Sequence, residues 1–268
     1  MLTVMAIDSH TWPPFDEATK TGSASLLRER PPVRARLGII LPGVNTVVEP
    51  WFGRVVGADI SVHASRMLLT SQVTAEALQR MDHEEGMDAA ACIASCRPDV
   101  IAYGCTASSI VQGLDYDKRL QQALEAETGK PCFTAVGAII DALRVLGIHK
   151  ISIASPYTDA IDHAEKQLFE TAGFRVLGTA NLNIRDSFEL ASPDARQIYE
   201  LARRAWHPDA DALLISCLNM NSQEIVELLE NRMGRPVITS PTAVLWKLLR
   251  TAGLQDRITG YGSLLAIH

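Results

Sequence analysis

The chain runs through one order of signals twice. Leu37-Gly38-Ile39-Ile40-Leu41 is a short apolar run that ends in Pro42-Gly43, and 114 residues after Pro42 the run Ile151-Ser152-Ile153-Ala154 ends in Ser155-Pro156. Val100-Ile101-Ala102-Tyr103 leads into Gly104-Cys105, and Ala212-Leu213-Leu214-Ile215 leads into Ser216-Cys217, 112 residues on. Gly129-Lys130-Pro131 returns as Gly234-Arg235-Pro236 at an offset of 105, and the stretch 142–148 returns as 248–254 at an offset of 106. One such match is weak. Four in the same order mark a duplication, and self-similarity at long period governs the choice of fold.

Each repeat reads as buried strand, proline loop, helix, strand, cysteine loop and helix. Helical patterns fall at about Thr74 to Arg97, Asp117 to Thr128, Ala135 to Leu146, Asp159 to Ala172, Ser192 to Trp206, Ser222 to Arg232 and Thr242 to Ala252. Strands alternating with helices of this length imply βαβ units, parallel sheets and the α/β class. In open α/β sheets ligands bind beyond the carboxyl ends of the strands. The loops around Asn45, Cys105, Tyr157 and Cys217 all follow strands, so a pseudo-twofold would bring them to one cleft. Residues 1–36 stand apart: Trp12-Pro13-Pro14, Gly22-Ser23-Ala24-Ser25 and Pro31-Pro32 give an irregular extension without periodicity.

Bulk properties remove several classes of function. A net charge of −6 argues against nucleic acid and against anionic membrane surfaces as partners. No apolar run reaches the ~18 residues of a membrane span, and Met1 to Ile7 is too short for a signal peptide. The five cysteines do not form a disulfide framework at this length, which makes a reducing cytoplasm the default expectation. No zinc-protease motif, Walker loop or Cys-x-x-Cys is present, and none of the seven histidines sits in a strand-end loop. A histidine triad has no support.

Cys105, in Gly104-Cys105-Thr106-Ala107-Ser108-Ser109, lies between a strand and a helix, where free N–H groups and the helix dipole favour a thiolate. Its thiol is therefore expected to titrate below the usual ~8.5. A small buried residue at a tight turn would look the same. Cys217, in Ser216-Cys217-Leu218-Asn219, has the matching place in the second repeat. Two sulfurs at equivalent strand ends suit a reaction that works on opposite faces of a small substrate. Cys92 and Cys96 share a helix face and read as buried packing, and Cys132 reads as core. Asn45 and Thr46 offer an amide, a hydroxyl and backbone donors to a carboxylate, or else cap a helix. Tyr157 and Thr158 form the matching loop. Arg66 reads as a surface salt-bridge partner, with service as a counter-ion the alternative.

The segments "LGIILPGVNTVVEPWF", "DVIAYGCTASS", "SPYTDAI" and "LLISCLNMNS…GRPVITSPTAVLWKLLRTAGL" resemble the maleate cis-trans isomerase family, within the aspartate/glutamate racemase superfamily that also holds arylmalonate decarboxylase. The likeness covers about residues 33–262. It implies two pseudo-symmetric Rossmann-like lobes with parallel sheets, the second inserted in the first: 33–130 plus 240–268, and 131–239, after an extension at 1–32. It also implies a site in the cleft, no cofactor and no metal. Cys105 would be the nucleophile and Cys217 the acid/base. Asn45 and Tyr157 match positions that hold substrate carboxylates, and Thr106, Ser108 and the backbone near Leu218 and Asn219 would complete the anion pockets. Where the family has a substrate-binding asparagine, this chain has Ser187.

The expected activity is isomerisation of maleate or a related small carboxylate by a homo-oligomer, dimer or tetramer. The alternatives are a racemase or epimerase of an amino-acid-like or hydantoin-like substrate (the ectoine-utilisation type included), an arylmalonate-type decarboxylase, or a binding protein that keeps the fold without catalysis.

Overall fold

The computed structural model describes residues 31–70 and 72–268. The extension expected at 1–32 lies outside this range apart from its last two residues.

Among the described residues, eight strands form two four-stranded sheets of identical order, β2-β1-β3-β4 and β6-β5-β7-β8, with every pairing inside them parallel. The first sheet holds β1 (Ala35–Pro42), β2 (Ile60–Met67), β3 (Val100–Tyr103) and β4 (Cys132–Thr134); the second holds β5 (Lys150–Ser155), β6 (Arg175–Asn181), β7 (Ala212–Ile215) and β8 (Val237–Thr239). The duplication read from the sequence is therefore a duplication of sheets. β3 and β7 are wholly buried, as parallel strands covered on both faces must be. The outer strands β2 and β6 are only partly buried. They lack a continuous apolar run, and the sequence gives little sign of them.

The helices in chain order are α1 (Val48–Val55), α2 (Ala75–Ala94), α3 (Thr106–Gln112), α4 (Leu114–Thr128), α5 (Ala135–Val145), α6 (Asp159–Thr171), α7 (Ala195–Ala205), α8 (Val226–Met233), α9 (Ser240–Thr251) and α10 (Ser263–Ile267). Repeat equivalence extends to single bonds. Gly104 N–H donates to Ile40 O at 2.7 Å, and Ser216 N–H donates to Ala154 O at 2.8 Å. Thr134 and Thr239 cap α5 and α9 through the same side-chain bond, and Gly129 and Gly234 close α4 and α8 at φ +62°. That left-handed conformation costs glycine little and other residues more.

Three expectations change. The lobe boundary at 131 falls ahead of β4, whose pairing with β3 puts Cys132–Thr134 in the first sheet. Cys92 and Cys96 are exposed rather than packed, because the buried stripe of α2 runs through Leu78, Asp82, Ala89 and Ile93, and Cys96 lies beyond the helix end. The helix expected from Ser222 starts as a 3-10 turn (Ser222–Ile225) before α8.

Several contacts sew the lobes together beside the strand ends. α5 packs on α9, with Lys247 Nζ donating to Asp141 at 2.7 Å. Val73 N–H donates to Arg185 O at 2.9 Å, and Gln72 pairs with Asp186 in an isolated antiparallel bridge.

Candidate active site

Both cysteines are buried, and both line one small cavity of about 40 Å³ at the carboxyl ends of the two sheets. The rest of the lining is Pro42, Val44, Asn45, Leu69, Val73, Leu78, Gly104, Thr106, Ala107, Tyr157, Leu190, Leu218 and Asn219. Strand-end loops from both repeats thus meet, as the duplication requires. No charged side chain is among these residues.

Cys105 is the N-cap residue of α3. The backbone N–H groups of Ser108 and Ala107 reach its sulfur and favour the thiolate, as the sequence position predicts, but complete burial and the nearby Asp82 carboxylate outweigh them and push the thiol well above its usual range. The direction is the reverse of the one expected from the helix N-terminus: burial and Asp82 favour the protonated thiol at Cys105. Burial also pushes Cys217 up to about 12, against opposing hydrogen bonds from Tyr157 and Asn219 N–H. The Tyr157 phenol is itself raised by burial and by its neighbours Cys217 and Glu165.

The backbone at Cys217 is unusual. Its φ is +97°, in the region where a side chain is strained. Two bonds hold it there: Cys217 N–H donates to Ser240 Oγ at 3.0 Å, and Asn219 N–H donates to Cys217 Sγ at 3.3 Å. Thr106 Oγ1 donates to the same Ser240 oxygen at 3.3 Å, so one hydroxyl at the start of α9 links the two cysteine loops. Backbone strain that the surroundings enforce is a mark of functional loops.

The other residues expected at the site divide into two groups. Asn45, Thr106, Tyr157, Leu218 and Asn219 line the cavity. Asn45 Oδ1 accepts from Val47 and Val48 N–H at 3.1 and 3.0 Å, so it caps the turn into α1 while its amide nitrogen is left for the cavity. Thr46 has an exposed side chain, and its backbone N–H donates to Asn219 Oδ1 at 3.0 Å. The Asn219 amide nitrogen goes to the carbonyls of Val44 and Ser187, both at 3.3 Å. Asn219 therefore joins the lobes with its side chain. Ser108 turns its hydroxyl away, onto Asp82. Ser187 is buried outside the cavity lining and donates to Thr70 O at 2.9 Å.

Sequence reading missed the layer behind these residues. Asp82 on α2 accepts hydrogen bonds from Tyr103, from Ser108, from Gln112 at 2.7 Å and from Tyr116 at 2.6 Å. Its signal was an acidic residue on the buried stripe of α2. Arg66 donates to Gly43 O at 3.0 Å and Asn45 O at 2.9 Å and pairs with Glu49. It braces the Asn45 loop and does not line the cavity. Glu165 on α6 is fully buried beside Ser216, with no hydrogen-bond partner of good geometry for either oxygen, and burial raises it to about 8.

The sequence profile of the arylmalonate decarboxylase family matches residues 37–265. A maleate isomerase of Geobacillus stearothermophilus is 28% identical over 245 residues, covering 86% of this chain and 97% of that one. The structure of the maleate isomerase Iso from Pseudomonas putida S16 superposes with a TM-score of 0.82 at 26% identity, over 87% of this chain and 98% of that one. A mutant of the Nocardia farcinica maleate cis-trans isomerase with a covalently bound succinylcysteine intermediate gives a TM-score of 0.82 at 27% identity, over 87% and 99%.

Proposed function

The chain belongs to the arylmalonate decarboxylase family, and from that premise we propose that it is a cofactor-independent cis-trans isomerase of maleate or a related small unsaturated carboxylate. The observation that carries the reading is the meeting of Cys105 and Cys217, from equivalent strand ends, in one buried cavity. The succinylcysteine in the Nocardia farcinica relative supports a cysteine as the nucleophile.

In this reading Cys105 gives its proton to solvent and, as the thiolate, adds to the alkene carbon β to the bound carboxylate. The electron pair moves into that carboxylate, where the Asn45 amide nitrogen and the backbone N–H groups of Thr106 and Leu218 offer donors. The Cys217 thiol gives its proton to the α-carbon, leaving a single bond that rotates. Cys217 then takes the α-proton back, the C–S bond breaks, and its electrons return to Cys105. A thiolate that burial makes costly is also a strong nucleophile once formed, because its basicity is high.

Proton NMR of the enzyme with maleate and related cis-enoates in D2O tests this. The trans isomer should appear, and Cys105→Ser should lower the rate by at least about a thousandfold. Cys217→Ser should accumulate a thioether adduct on Cys105, visible by mass spectrometry. A Cys105→Ser variant within tenfold of the parent overturns the assignment. Deuterium at the α-carbon of a recovered saturated acid, with no isomerisation, would instead fit the two raised thiols acting as a racemase pair.

A further inference from the structure

Beside its donors the cavity has a wall of a different kind. Leu69 and Val73 follow β2, Leu78 lies in the first turn of α2, and Leu190 comes from the 3-10 turn Glu189–Ala191 of the other lobe. The pairing of 72–73 with 185–186 brings these segments side by side, so the four apolar side chains form one surface. The polar groups at the joint are spent on it: Ser187 Oγ donates to Thr70 O, and the Asn219 amide nitrogen is divided between Val44 O and Ser187 O. Among the described residues no cation lines the cavity.

A maleate dianion needs two sets of donors. The strand-end loops supply one, and a second carboxylate would lie against Leu69, Val73, Leu78 and Leu190, where nothing replaces its lost hydration. A short alkyl group at that place would gain by leaving water. We propose that the site prefers a small cis-2-enoate with one carboxylate and a short apolar substituent over a dicarboxylate. The carboxylate takes the strand-end donors, and the substituent packs on the leucine-valine wall. The proposal deepens the isomerase reading and rests on it for the site. The chemistry is unchanged, since one carboxylate suffices to accept the electron pair when Cys105 adds at the β-carbon.

Two unreactive acids separate the pocket from the chemistry. By calorimetry on the wild-type protein, pentanoate should bind at least tenfold more tightly than succinate. Leu190→Asn, which puts a donor into the wall, should narrow or reverse that ratio. Tighter binding of succinate to the wild type, or binding of neither acid, overturns the proposal. In turnover, (Z)-2-pentenoate should exceed maleate at least tenfold in kcat/KM, and the reverse order overturns the proposal while leaving the isomerase reading in place. Tight pentanoate binding with no isomerisation of any enoate would sink the isomerase reading and leave the assigned wall standing.

Discussion

Cys217 shows how a single residue carries both the chemistry and its cost. A φ of +97° is strained for any side chain and free for glycine, and positions of this kind cost about 1–3 kcal/mol. Two substitutions that both remove the sulfur isolate that term. Cys217→Gly should be more stable than Cys217→Ala by about 1 kcal/mol in urea denaturation, although glycine elsewhere is the less stable of the two. Alanine at least as stable as glycine would mean that the loop relaxes and stores no strain. The matching residue, Cys105, has an ordinary extended backbone as N-cap of α3, so the two sulfurs are equivalent in topology but not in local geometry. Sequence could place both at strand ends. It could not show that burial and Asp82 overcome the helix N-terminus at Cys105, because those terms come from groups distant along the chain.

Among the elements, the short helix α3 depends on Asp82 for its seat. The carboxylate gathers donors from β3, α3 and α4, and with them it fixes the strand end, the cysteine loop and the first turn after it. Asp82→Asn exchanges an acceptor for a donor facing Gln112 or the hydroxyls. It should cost about 3 kcal/mol of stability, the scale of leaving buried partners of a charged group unmatched. The same change removes the negative charge that helps hold the Cys105 thiol up, so the alkylation of Cys105 should become faster at a given pH even as the protein weakens. An unchanged pH profile of alkylation would separate Asp82 from the thiol.

Legibility followed burial at this scale. β1, β3, β5 and β7 announced themselves as apolar runs, and the repeat gave their order. β2 and β6 are half-exposed, and β4 and β8 span three residues each, too little chain for a period to register. The donors of the site lay in strand-end loops and could be named. The apolar wall could not, since Leu69, Val73, Leu78 and Leu190 meet only through pairing across the lobes.

For the molecule as a whole, burial favours the neutral forms of several interior acids. Burial raises Glu165 to about 8, pushes up Asp117 and Asp162, and lifts both active-site thiols. A group with a folded-state pKa above its unfolded value keeps its proton in the native protein after the unfolded chain has lost it. The stability it contributes is complete below the unfolded pKa and is lost as pH rises through the folded one. For Glu165 the window runs from its ordinary 4.5 to about 8, at about 1.4 kcal/mol per pH unit. The carboxylates held low, Asp211, Asp256 and Glu76, act in the opposite sense, but below that window. Urea denaturation should therefore show stability falling between pH 5 and pH 8. Glu165→Gln, neutral throughout, should flatten the slope and be the more stable protein at pH 8. A variant with the parent's slope would mean that Glu165 ionises normally, through an opening of α6 that lets water reach it, and that the second lobe is looser behind Tyr157 and Cys217 than its packing implies.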